Sequence, residues 1–144
     1  MSDEQYRDQK FQSSVEGLKA SIQSGQAALK SVILINGVAS VAILAFIGNL
    51  ATSEKSKALI SILSCSLAYF VFGTLVAAMA SGGAYLSQAA YSKANQEEEN
   101  AEATERWEKR GKVFQYTTII FVIVSYILFG LGALLTYKTF LNVG

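Results

Sequence analysis

The chain has 144 residues, 51% hydrophobic and only 16% charged, with a net charge of +1 at neutral pH. A soluble domain usually carries about 25% charged residues. A near-neutral balance with no basic stripe excludes a nucleic-acid footprint. The lack of histidine and the single cysteine, Cys65, leave little material for a metal centre or an internal disulfide.

The charges are segregated. None occurs in 31–53, 58–92 or 113–137, and they crowd into 3–30 and 93–112. About 20 apolar residues cross a ~30 Å hydrocarbon core as a helix, so each gap is long enough for one span. An isolated strand in lipid would leave its backbone unpaired, so the spans must be helical. The expected fold is all-α. It is an integral membrane three-helix bundle, a single membrane domain over 1–144, with long helices extending into a cytosolic helical bundle. No proline is present to kink or stop a helix.

Residues 1–30 open acidic and stay polar, which predicts an uncleaved first anchor rather than a cleavable leader. Within them Phe11, Val15, Leu18, Ile22, Gly25 and Leu29 recur at alternating spacings of four and three. That is the narrow stripe of a coiled coil. Three occupants fit it: helices of this chain or of its copies, a lipid surface, or a separate protein. No break separates it from the first span, 32–50, so one long helix is expected. Asn36 and Ser40 are the polar residues inside that span. An amide at membrane depth faces protein or water. Asn36 is therefore read either as an interhelical hydrogen bond or as a pore-lining ring in an oligomer. A polar turn with Ser53 as N-cap and Glu54 in the first turn follows.

The second span is 58–80, and its helix is expected to continue to about Ala94. Ser66, Gly73, Ala77, Ala80 and Ala84 form a small-residue stripe, the kind that lets helices approach closely in lipid. Gly82 and Gly83 cost about 2 kcal/mol together relative to alanine. They are a candidate hinge, or a place where another backbone comes near. Residues 81–112 are read as a cytosolic helical hairpin turning at 95–100. There Glu97, Glu98 and Glu99 form a solvated loop or, with further ligands, a weak cation site. Trp107 with Lys109, Arg110 and Lys112 makes an interfacial anchor before the third span, 113–137.

Three crossings put Arg7, Lys10, Lys19, Lys30, Lys93, Arg106, Lys109, Arg110 and Lys112 on one side, and Lys55, Lys57 and Lys138 on the other. The positive-inside rule makes the richer side cytoplasmic, with the C-terminus outside. No Asp, Glu, Lys or Arg lies within a span, so no intramembrane proton relay is available. No catalytic residue, cofactor site or metal site is predicted, and no enzymatic activity. The expected partners are the bilayer, further copies of the chain and a protein held by the cytosolic helices.

The order of cytosolic helix, spans and charged return, with RWEKRGKVF (106–114) entering the last span, resembles small bacterial multi-pass membrane proteins. In layout it is similar to the SLATT-type membrane effectors of bacterial conflict systems, whose plan has two membrane helices where this chain has three. That resemblance implies a pore-forming effector in a bacterial inner membrane, gated through its cytosolic helices. The alternative function is a membrane-anchored scaffold or regulatory subunit.

Overall fold

A computed structural model describes residues 3–51, 57–97 and 100–141. They form three α-helices: α1 (Asp3–Leu50), α2 (Lys57–Gln96) and α3 (Ala101–Leu141). No strand occurs among the described residues. The turn expected around Ser53 and Glu54, and residues Glu98 and Glu99, lie outside them, as do the side chains of Lys10 and Leu18.

The helices hold 48, 40 and 41 residues, or about 72, 60 and 61 Å at 1.5 Å per residue. Each is long and apolar enough to cross a membrane, by length and composition. α1 runs unbroken from the polar stripe into the first apolar stretch, because no residue between them opposes a helix. α2 continues to Gln96, into the turn expected at 95–100. Asn100 caps α3, its Oδ1 accepting from the Ala103 amide at 3.2 Å. Thr104 Oγ1 donates to the Glu97 carbonyl at 2.7 Å and closes the turn.

α2 and α3 lie against each other along most of their length, and α1 joins mainly on α2. Ile43, Leu63 and Phe70 form the apolar centre, one from α1 and two from α2. Around it, the distribution of side chains is the reverse of a soluble protein's. Asn36, Ser66, Ser87, Ser125 and Thr139 are buried. Leu34, Val38, Val41, Phe72, Leu75, Ile120, Ile123 and Ile127 point outward. Water-soluble monomers rarely expose contiguous apolar surface on this scale. Small and polar residues inside, with bulky apolar ones outside, is the packing that lipid favours. There the hydrophobic effect does not drive helices together, and close approach and hydrogen bonds do.

Candidate functional site

The interior is organised by seven-residue rows of small side chains. On α2 the row is Ser66, Gly73, Ala80, Ser87 and Ala94, all buried. On α3 it is Gly111, Thr118, Ser125, Gly132 and Thr139, all buried except the half-buried Thr118. A seven-residue period keeps one face of a helix turned to a neighbour as the two wind together. The rows run antiparallel and meet. Ser87 Oγ donates to the Gly111 carbonyl at 2.9 Å, and Ser125 Oγ donates to the Gly73 carbonyl at 2.7 Å. Of the stripe predicted on α2, Ser66, Gly73, Ala77 and Ala80 are buried and Ala84 is half-buried. Ser87 and Ala94, which extend it, were not anticipated. Nor was any of the α3 row, though its period of seven is written in the sequence.

The three helices meet at Asn36. Its Nδ2 donates to Val32 O at 3.0 Å along α1 and to Ser125 Oγ at 3.2 Å on α3. Ser125 Oγ in turn donates to Gly73 O on α2. Asn36 thus ties α1 to α3, and Ser125 ties α3 to α2. The Asn36 side chain is fully buried inside one chain. Ser40 Oγ donates to Asn36 O at 2.8 Å and so stays within α1.

Asn36 Oδ1 accepts no conventional hydrogen bond. A Cβ built on Gly73 would run into it. The Gly73 hydrogen that occupies this direction therefore points at Oδ1, a Cα–H···O contact of the type common between close helices. Glycine is required at 73 because the amide lies where a side chain would start. Ser66 Oγ is also buried without a partner, and nothing in its surroundings accounts for it.

The paired glycines have different surroundings. α2 runs through both without interruption. Gly82 faces open space, whereas a Cβ on Gly83 would come within 2.6 Å of Thr118 Oγ1. Gly83 serves the close approach of α3.

Beyond the apolar stretches, Trp107 is held between two cations. Lys93 Nζ of α2 lies 4.7 Å from the ring centroid and the Arg110 guanidinium 4.9 Å from it. Each contact contributes about 0.5–1 kcal/mol at an exposed site. Together they fasten the end of α2 to the start of α3. Lys109 pairs with Glu105 at 2.7 Å and Lys112 with Glu108 at 3.8 Å, both one turn apart on α3. The hydrogen bond from Lys109, and then its charge, hold the Glu105 carboxyl below its ordinary range, against a small opposing effect of desolvation. A carboxyl lowered in the folded state contributes stability above its unfolded pKa and loses it as the pH falls through its folded pKa. The pair is exposed, so this contribution is small.

Where α1 leaves the other helices a groove of about 310 Å³ opens. Ile22, Gly25 and Leu29 form one wall, Ala84 and Ile119 the other, with Gln26, Gln88 and Gln115 among its polar residues. Among the described residues no cluster of His, Cys, Asp or Glu is placed to hold a metal ion. The buried junction is made of an amide and a hydroxyl, and their hydrogen bonds link the three helices. Neither a protein family, a curated protein nor a solved structure matches the chain.

Proposed function

We propose that this is a three-pass integral membrane protein that serves as an anchored scaffold, presenting the first half of α1 to a helical partner on the cytosolic side. The observation that carries the reading is the contrast along α1. From Leu29 onward its stripe is buried at Leu29, Val32, Asn36 and Ile43. Before Ala28 every described side chain is exposed except the half-buried Val15. The helices exceed a ~30 Å core by several turns. By the positive-inside rule, the Lys and Arg distribution favours the cytoplasmic side for both the N-terminal half of α1 and the α2–α3 hairpin. With the Asn36 amide engaged inside one chain, the residue that motivated a pore supports a structural role instead.

A pore assembled from several copies is the second reading, kept by one observation. Ser61, Ser64 and Cys65 are exposed along one face of α2, among neighbours that are otherwise apolar. The layout likeness to SLATT-type effectors points the same way and would place the protein in a bacterial inner membrane.

Ion leakage from sealed liposomes, with the assembled mass measured in the same sample, separates the two. The scaffold reading expects leakage no greater than from protein-free vesicles. Leakage from a defined oligomer that falls when Ser61 and Ser64 are both replaced by leucine would instead establish the pore.

A further inference from the structure

We infer that the exposed half of α1 pairs with the same segment of a second copy of this chain, as a parallel two-helix coiled coil over 15–25. The inference rests on the scaffold reading above and names its partner.

The first support is continuity. Val15, Leu18, Ile22, Gly25, Leu29, Val32 and Asn36 follow one alternation of three and four. The last three are packed against α2 and α3. The same face then emerges, with Ile22 40% exposed and open space at Gly25. A face this regular over three heptads specifies a helix as its neighbour. Ile22, Gly25 and Leu29 line the groove where α1 diverges, so the seam opens at the point where its own chain ceases to cover it.

The second support is charge. The positions flanking the seam are Gln12, Lys19 and Gln26 on one side and Ser14, Ser21 and Ala28 on the other. Charges at these positions normally choose a partner and reject others. Lys19 is the single charge here, so an identical helix meets almost no repulsion, and an oppositely charged partner finds little to recognise. A helix lying on lipid would need a face rich in Lys and Arg, and the outer face here mixes Glu16, Gln23 and Lys30. The third support is orientation. Copies inserted in one membrane with the same topology project α1 from the same side, which makes the pairing parallel.

The test is cross-linking of full-length protein in liposomes, in a Cys65→Ser background, with a short thiol cross-linker. Val15→Cys and Ile22→Cys occupy equivalent seam positions, and Ala20→Cys and Ala27→Cys the opposite face. The inference expects at least ten-fold more dimer from each seam variant than from each outer one. Equal dimer at all four positions would mean random collision and would overturn it. No dimer, with Ile22→Cys reacting readily with a soluble maleimide, would also overturn it, while leaving a scaffold with a different partner. No dimer, with Ile22→Cys protected from the soluble maleimide but labelled by a bilayer-soluble one, would overturn the inference and the scaffold reading together.

Discussion

Gly73→Ala is expected to destabilise the three-helix junction by about 3 kcal/mol, the upper part of the range for overpacking a close interface. The reason is the pinning of Asn36. Added methyls at Gly83 and Gly111 would meet Thr118 Oγ1 and the Tyr91 ring, half-buried side chains that have room to swing. Asn36 does not, because its Nδ2 is committed to Val32 O and Ser125 Oγ. Turning the amide away gives up both bonds and leaves the group unsatisfied in an apolar interior. The strain therefore falls on the separation of α1 and α2. A double-mutant cycle isolates the cause. In an Asn36→Ala background the same Gly73→Ala change should cost less than about 1 kcal/mol, since its obstacle is gone. Unfolding by SDS in mixed micelles reads both. Equal costs in the two backgrounds would show that Asn36 does not sit over Gly73.

Phe70→Ala is the second large effect, expected at about 2 kcal/mol. In a soluble core, truncating phenylalanine costs about 3–5 kcal/mol, a sum of lost transfer free energy and a cavity. In lipid the transfer part largely disappears, because the unassembled helix already has its side chains in hydrocarbon. What remains is the void. A ring volume on the order of 100 Å³ at ~24 cal/mol per Å³ gives the estimate. Phe70 is only 3% exposed. Its ring lies 5.6 Å from that of Phe129 and against the Gly132 backbone, so α2 and α3 both lose contacts. The same unfolding assay checks it. A cost near 4 kcal/mol would indicate that Phe70 is shielded from water rather than from lipid, contrary to the membrane reading.

The three long helices were legible because charge segregation over 31–53, 58–92 and 113–137 has few other physical explanations. Asn36 stood out for a related reason, as a lone amide in an apolar stretch. Its partner Ser125 did not. It lies in a β-branched and aromatic run where a hydroxyl is easily accommodated by its own helix, as Thr117, Thr118 and Thr136 are. Only the spacing of Gly111, Thr118, Ser125, Gly132 and Thr139 distinguishes it, and one small residue in seven is a faint signal among larger neighbours. The polar-to-apolar boundary of α1 at 30–32 was legible in its charges, but which part of the stripe the chain's own helices cover was not. A heptad stripe states that a helix lies alongside but not which helix, and the pattern is the same on both sides of Leu29. Tertiary packing decides where the chain's own helices cease to cover it.

The most direct measurement is the sidedness of three single-cysteine variants in a Cys65→Ser background, at Ala20, Ala51 and Ala101, labelled in sealed vesicles of known orientation with an impermeant maleimide. The three-span account predicts that Ala20→Cys and Ala101→Cys react from the same, cytoplasmic, face and Ala51→Cys only from the other. Labelling of all three from one face, or of Ala20→Cys and Ala101→Cys from opposite faces, would contradict it.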